Sequence, residues 1–208
     1  SALRAAEEPL RIGSKRFTES YILGELLKQA ALPGGPAEHK PGMGNTGILY
    51  AALRTGAIDV YPEYTGTIAR EILKLQGNPS LAELNRLLAP LGLAASVPLG
   101  FNNSYALGVR EDVAENLKLR RLSDLAAHRE LRLGLSQEFL ARQDGWPGLS
   151  RAYGLGQLPS GLDHGLAYEA LAASRIDVLD LYSTDAKIAR YRIRVLEDDH
   201  RFFPRYDA

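Results

Sequence analysis

The stretch ALRTGAIDV at residues 52–60 recurs as ALAASRIDV at residues 170–178, an offset of 118 residues from Ile58 to Ile176. Each copy has the pattern of a helix end, a small breaker and a short strand. A tyrosine follows each copy at the same distance, Tyr64 in the first and Tyr182 in the second. Because an internal repeat decides the architecture, the chain is predicted to form two related α/β lobes.

A weaker repeat marks the start of each half, RIGS at residues 11–14 and RLGL at residues 132–135. Each predicts a buried strand, a loop and a helix containing Phe17 or Phe139. Helices are predicted over residues 18–32, 46–53, 66–75, 80–91, 123–129, 144–153, 162–174 and 185–190, and strands over residues 10–13, 57–61, 93–98, 105–110, 131–135, 176–182 and 193–197. Their alternation indicates parallel-rich sheets flanked by helices. The predicted lobes are residues 1–103 and residues 104–208, the second including a segment that returns toward the first.

Local signals fix several of these helices. Apolar residues at positions 22, 23, 26 and 27 form one helical stripe. Ser80 and Glu83 have the spacing of a capping box. Asn45 or Thr46 is expected to cap the helix that ends before Gly56.

The composition excludes several classes of function. The 208 residues contain 25 basic and 25 acidic side chains with no long run of either sign, which argues against a nucleic-acid partner. Cysteine is absent, so disulfides, thiolate metal sites and cysteine nucleophiles are excluded. Residues 1–9 lack the apolar core of a signal peptide and are interpreted as a mature terminus or the boundary of an expressed segment.

Tyrosine is unusually frequent, with ten residues against one tryptophan, and several tyrosines follow predicted strands. In open α/β sheets ligands bind beyond the carboxyl ends of strands, so Tyr64 and Tyr182 are predicted to face a cleft between the lobes. Ring faces of this kind hold quaternary ammonium groups. Lys15 and Arg142, in matching loops of the two halves, and the hydroxyl of Thr67 are candidate donors to a ligand carboxylate. Core packing or surface exposure is expected for Tyr21, Tyr50, Tyr153, Tyr168 and Tyr191, and Tyr61 stays ambiguous.

Several motifs lack the neighbouring residues or elements that a nucleotide, metal or catalytic site would require. GMGNTG at residues 42–47 fits a nucleotide-binding fingerprint, but residues 33–41 before it read as a loop and not as an apolar strand. The motif is instead interpreted as a glycine-rich helix start. The four histidines are too scattered for a metal site and are expected to be exposed. Asp198 and Asp199 are expected to be solvated, and no nucleophile with a base and an orienting group is found, so neither a cofactor nor catalysis is predicted.

Six segments in order resemble the glycine betaine/choline-binding proteins of ABC-type osmoprotectant importers. They are IGSKRFTES at residues 12–20, DVYPEYTGT at 59–67, GFNNSY at 100–105, FLARQDG at 139–145, LYSTD at 181–185, and LEDD at 196–199 with FPRYDA at 203–208. The resemblance implies the type II periplasmic-binding-protein fold, two lobes that close on a solute. It also implies an extracytoplasmic protein that docks on a membrane permease, and a chain that lacks the C-terminal part of the first lobe.

Carried over by position, the resemblance implies an aromatic box of Tyr64, Tyr105, Tyr182 and Tyr206. Lys15, Thr67 and Arg142 would then meet the ligand carboxylate, with Asn103 beside the box. The expected ligand is glycine betaine or a related quaternary-ammonium zwitterion. The alternatives are a permease-fused or sensory receptor domain for choline, carnitine or ergothioneine and, from another class, an enzyme on the same fold.

Overall fold

The computed structural model describes residues 8–208, so the prediction for the chain start falls largely outside the described residues. The chain divides into two compact units. Unit 1 contains residues up to 73, residues 79–99 and Ala208, and unit 2 contains residues 74–78 and 100–207. Within residues 8–208, no helix combines the length and the apolar character needed to cross a bilayer.

Unit 1 is built around a small parallel sheet of two strands. Its elements are β1 (Leu10–Gly13), α1 (Thr18–Ala31), β2 (Ala37–Lys40), α2 (Thr46–Arg54), α3 (Thr65–Thr67), a π-helical turn (Ile68–Ile72) and α4 (Leu81–Leu88), with 3-10 turns at Leu32–Gly34 and Ala89–Leu91. β1 pairs with β2 from Leu10 opposite Ala37 to Gly13 opposite Lys40. The interior includes the fully buried Ile12, Leu49 and Leu84.

Unit 2 is built around a five-stranded sheet in the order β5-β4-β6-β3-β7. Its elements are β3 (Tyr105–Arg110), α5 (Glu111–Leu117), a 3-10 segment (Leu122–Ala127), β4 (Leu133–Leu135), α6 (Gln137–Ala141), α7 (Trp146–Tyr153), β5 (Ser160–Gly161), α8 (His164–Ala172), β6 (Val178–Tyr182), α9 (Lys187–Arg190) and β7 (Ile193–Val195). β4 is parallel to β5 and β6, whereas β3 is antiparallel to β6 and β7. The α/β class is confirmed, and this sheet is mixed.

The repeat found in the sequence is reproduced in the hydrogen bonds of each unit. In unit 1 the backbone N–H of Arg11 donates to the Asp59 carboxylate at 2.8 Å, and the Asp59 N–H donates back to the Arg11 carbonyl at 2.8 Å. In unit 2 the same two bonds join Arg132 and Asp177, each at 2.7 Å. Both arginine side chains also bind their aspartate. The arginine that opens each half therefore anchors the aspartate of the longer repeat.

Helix starts follow the predicted capping. Both bonds of the Ser80–Glu83 capping box are present, with the Ser80 N–H donating to the Glu83 carboxylate at 2.8 Å. The Asn45 side chain accepts from the N–H of Ile48 at 3.3 Å and opens α2, and Gly56 has φ +75° just after that helix. Helix starts were predictable because a cap satisfies N–H groups only two or three residues away.

Two predicted strands are absent from the described structure, and each has a local cause. Residues 57–61 make only an isolated bridge between Val60 and Ile12. Pro62 follows directly, and a proline has no N–H with which to continue a ladder. Residues 93–98 form no strand, because the Asn85 side chain binds both the N–H and the carbonyl of Ala95, at 2.7 and 3.0 Å.

Two strands, β2 and the two-residue β5, and one helix were missed. Residues 33–41 were expected to be a loop, but Ala37–Lys40 forms β2. All four residues of β2 are half-buried, so its polar sequence lacks the alternation of apolar and polar residues that predicts a strand. The glycine motif at residues 42–47 therefore does follow a strand, although a polar one. α5 was also not predicted, despite the acidic pair Glu111 and Asp112 in its first turn.

The apolar stripe of α1 is only partly buried. Leu23 packs inside, while Ile22 and Leu26 are more than half exposed. Gly24 lies directly against the His39 ring, where an added Cβ would come within 2.3 Å of Nε2. A polar strand and a small helix residue thus meet at a contact that a purely apolar pattern does not predict. Phe17, expected inside this helix, is its extended N-cap residue.

Two expectations about polar side chains were wrong. The His39 side chain is only 8% exposed and lies 2.7 Å from the Ser14 hydroxyl, because β2 places it under α1. Asp198 is not a solvated carboxylate, since it accepts from the Tyr153 hydroxyl at 2.5 Å and from two backbone N–H groups. Asp199 accepts from the Ser123 hydroxyl at 2.5 Å. Both aspartates therefore fix the chain before the C-terminal segment.

Candidate functional site

In unit 1 the loop after β1 places Lys15 in a buried ion pair. The Lys15 ammonium donates to Glu63 Oε1 at 2.6 Å and to the Thr46 hydroxyl at 2.8 Å. The Lys15 and Glu63 side chains are 6% and 8% exposed. The Lys15 backbone N–H is bound by the Ser20 hydroxyl at 2.8 Å, which fixes the loop to α1. Lys15 is thus a buried, oriented cation and not a solvated surface charge.

Tyr64 lies beside this ion pair at the start of α3. Its backbone N–H donates to Glu63 Oε1 at 3.1 Å, and its hydroxyl donates to Glu19. The Phe17 ring lies 6.5 Å from the Tyr64 ring, measured between centroids. Thr67 follows in the same short helix and is buried. Lys15 and Tyr64 therefore share Glu63 as a partner, and Thr67 lies three residues further along the chain.

In unit 2 the aromatic candidates converge on Tyr105. The antiparallel pairing of β3 with β6 sets Tyr105 directly opposite Tyr182, with ring centroids 5.5 Å apart. The Tyr206 ring meets Tyr105 edge-on at 5.6 Å. Phe139 and Phe203 lie 5.2 and 6.3 Å from the same ring. One group of rings is therefore formed by tyrosines from the start of β3, the end of β6 and the C-terminal segment.

Arg142 completes this cluster from the end of α6. Its guanidinium lies 5.1 Å from the Tyr105 ring centroid and binds both oxygens of Asp144, at 2.7 and 2.5 Å. The Tyr206 hydroxyl donates to the same carboxylate at 2.7 Å. The side chains of Arg142 and Asp144 are only 2% and 1% exposed. Asp144 thereby joins the arginine to the aromatic group.

Asn103 ties the C-terminal segment to the sheet. Its N–H donates to the Tyr206 carbonyl at 3.0 Å, and its side-chain oxygen accepts from the N–H of Thr184 at 3.3 Å. Residues 102 and 207 form an antiparallel bridge. Asn103 therefore positions Tyr206 beside the end of β6.

Burial keeps the cluster's phenols neutral. Desolvation raises the pKa of Tyr105 well above its usual value, and it raises the pKa of Tyr182 as well, with the nearby Asp180 carboxylate adding to the second shift. Asp180 is itself buried and accepts two bonds from Ser136, but desolvation still raises its pKa. The rings accordingly present uncharged π faces.

The sequence did not single out some members of these clusters. Phe139, Phe203 and Asp144 touch the unit 2 cluster, and Glu63 pairs with Lys15. His164, expected to be exposed, lies 4.4 Å from the Tyr182 ring. The sequence does contain a signal for Asp144, which is the Arg-x-Asp spacing that it shares with Arg142. The same spacing gives two-point arginine–aspartate pairs at residues 110/112 and 205/207.

Asp185, just after β6, provides a pH test of this region. Burial alone would raise the pKa of Asp185, but the His164 ring nitrogen 3.5 Å away and hydrogen bonds from the Lys187 backbone N–H and the Tyr168 hydroxyl lower it to about 2. A folded pKa below the ordinary value of about 3.9 stabilises the protein above that pH, and the stabilisation is lost as the pH falls toward 2. We expect Asp185→Asn to be less stable than the native chain at pH 6, with a difference that shrinks below pH 4. Urea denaturation at several pH values measures this, and a pH-independent difference would contradict it.

The chain matches a family model described as the substrate binding domain of ABC-type glycine betaine transport system, over residues 8–208. It is 34% identical to the ergothioneine transport permease/ergothioneine binding protein EgtU of Helicobacter pylori strain G27, over 97% of this chain and 38% of that protein. It is also 34% identical to the glycine-betaine-binding protein of Pseudomonas aeruginosa strain PAO1, over 98% of this chain and 71% of that protein.

A crystal structure described as a glycine betaine/carnitine/choline ABC transporter aligns with a TM-score of 0.67 and 28% identity, covering 95% of this chain and 77% of that one. This likeness confirms the predicted periplasmic-binding-protein-like fold class. The chain thus spans well under half of EgtU and about seven tenths of the Pseudomonas protein.

Proposed function

We propose that this chain, which belongs to the family of substrate-binding domains of ABC-type glycine betaine transport systems, captures a quaternary-ammonium zwitterion outside the cytoplasm and delivers it unchanged to a membrane permease. The observation that carries the proposal is the convergence of Tyr105, Tyr182 and Tyr206, with ring centroids 5.5–5.6 Å from the central Tyr105. A methylated ammonium cannot donate strong hydrogen bonds and is bound by ring faces.

The proposed ligand contacts divide by chemistry. Tyr64, Tyr105, Tyr182 and Tyr206 provide ring faces for the methylated nitrogen. Lys15, Arg142 and Thr67 provide donors for the carboxylate, and Asn103 holds Tyr206. Both cations are held by buried acidic partners, so their donors are oriented before the ligand arrives. Such preorganisation lowers the entropic cost of binding.

Isothermal titration calorimetry tests this proposal with glycine betaine, carnitine, ergothioneine, choline, tetramethylammonium and trimethylamine. We expect at least one zwitterion to bind at about micromolar affinity, which corresponds to about 8 kcal/mol. Tetramethylammonium retains the cation but lacks the carboxylate, and is expected to bind more weakly. If no quaternary ammonium compound binds, the proposed function is wrong. If zwitterions bind no better than trimethylamine, the carboxylate contacts are wrong.

A permease-fused receptor domain is the second candidate. It is favoured by one observation, that the matched Helicobacter protein carries both permease and binding protein in its name, and this chain covers 38% of it. The ligand contacts would be the same in both cases. The full open reading frame decides between them, because a fused protein encodes membrane-spanning helices in the same chain.

A further inference from the structure

The buried carboxylate of Glu63 is satisfied on one side only. Oε1 accepts from the Lys15 ammonium at 2.6 Å and from the Tyr64 N–H at 3.1 Å. Oε2 is buried and has no hydrogen-bond partner among the described residues. Buried polar atoms in folded proteins are nearly always paired, so an orphaned charged oxygen calls for a specific explanation.

The neighbouring ammonium has unused capacity as well. A lysine carries three N–H donors. Within residues 8–208, the Lys15 ammonium makes two hydrogen bonds, to Thr46 at 2.8 Å and to Glu63. A donor of Lys15 and an acceptor of Glu63 are therefore left side by side, next to Tyr64. Such a pair matches a ligand that has an acceptor and a donor of its own.

We propose that Glu63 determines ligand specificity, with Oε2 accepting a hydrogen bond from a hydroxyl or N–H group of the bound quaternary-ammonium compound. The remaining Lys15 donor meets the ligand carboxylate where there is one. This inference rests on the proposed function and narrows its substrate class. Glycine betaine has no hydrogen-bond donor and leaves Oε2 unpaired, whereas carnitine and choline each carry a hydroxyl.

The size of the effect follows from the charge of the acceptor. A hydrogen bond to a charged group changes an equilibrium by roughly 10- to 100-fold. A ligand without a donor also leaves Oε2 of Glu63 buried and unpaired. Binding of such a ligand is therefore weakened by the cost of that unpaired oxygen. Electrostatic attraction between the Glu63 carboxylate and the methylated ammonium of the ligand would not distinguish a hydroxylated compound from a donor-free one. The methylated nitrogen is the same in both.

Matched ligand pairs isolate this hydrogen bond in the full chain. Carnitine and γ-butyrobetaine differ only by the hydroxyl, as do choline and ethyltrimethylammonium. We expect calorimetry to show that the native chain prefers the hydroxylated member of a pair by about tenfold or more. In Glu63→Gln the amide oxygen can still face Lys15 and Tyr64, which leaves an NH2 donor in place of Oε2. The ligand hydroxyl can then only accept a neutral hydrogen bond from that amide, so the preference is expected to fall several-fold.

Glu25→Gln is the matched control, because Glu25 is an exposed glutamate of the same unit that lies outside the site and pairs with His39. This variant should keep the native preference. Equal binding of both members of each pair by the native chain would overturn the inference, even if Glu63→Gln failed to fold. A preference of undiminished size in Glu63→Gln would overturn it too. If no quaternary ammonium compound binds at all, the proposed function fails, and the inference fails with it.

Discussion

Asp144→Ala is expected to lower the free energy of unfolding by about 3–5 kcal/mol, the cost of leaving one member of a buried ion pair without its partner. The substitution removes the carboxylate that binds Arg142 at two points and accepts from the Tyr206 hydroxyl. The guanidinium would then stay buried against the Tyr105 ring without a counter-charge. Urea denaturation followed by circular dichroism measures the change.

The chain contains a matched control for this variant. Arg110 and Asp112 have the same spacing and the same two-point geometry, at 3.0 and 2.6 Å, but the Asp112 side chain is 68% exposed. Asp112→Ala should therefore change stability little, since solvent screens exposed pairs. Asp144→Asn keeps the shape and some hydrogen bonds, and should fall between the two. Equal losses in Asp144→Ala and Asp112→Ala would show that burial of the pair does not matter.

Tyr182→Ala is expected to weaken binding of the quaternary-ammonium ligand by on the order of 1–3 kcal/mol, or roughly 5- to 150-fold. The variant removes a ring face directly opposite Tyr105, 5.5 Å away between centroids, and the apolar area that the ligand would cover. Calorimetry with the best ligand of the panel measures the loss.

Two companion variants separate the ring face from other effects. Tyr182→Phe keeps the face and removes only the hydroxyl, so most of the affinity should remain. Tyr50→Ala truncates a tyrosine on α2, where the ring packs near Arg54 outside both clusters, and should leave the affinity unchanged. If Tyr182→Ala binds as tightly as the native chain, Tyr182 does not belong to the site.

Much of the fold was predictable because its signals are local. The Ser80–Glu83 box and the Asn45 cap act across two or three residues, and the structure contains both. The errors came where a distant or side-chain partner replaced the expected one. Asn85 occupies the backbone groups of Ala95, and β2 is a strand only because β1 lies beside it.

For the candidate site, the sequence identified residue types and places more readily than their partners. The strand pairing brings Tyr105 to Tyr182, as the candidate aromatic set requires within unit 2. The sequence treated Lys15 and Arg142 as donors awaiting a ligand, and it missed that each already has a buried acidic partner. Lys15 and Glu63 are 48 residues apart, and no periodic pattern links them.

The amino-acid sequence by itself determined the two-fold internal repeat, which returns in the structure as matching arginine–aspartate bonds in each unit. It also determined the family, because ordered segments along nearly the whole chain carry that resemblance. Only the tertiary structure decided which charges neutralise one another and which oxygen of Glu63 stays unpaired. The physical reason is range: caps and periodicities act over a few residues, whereas a buried charge takes whichever partner the packing brings within about 3 Å.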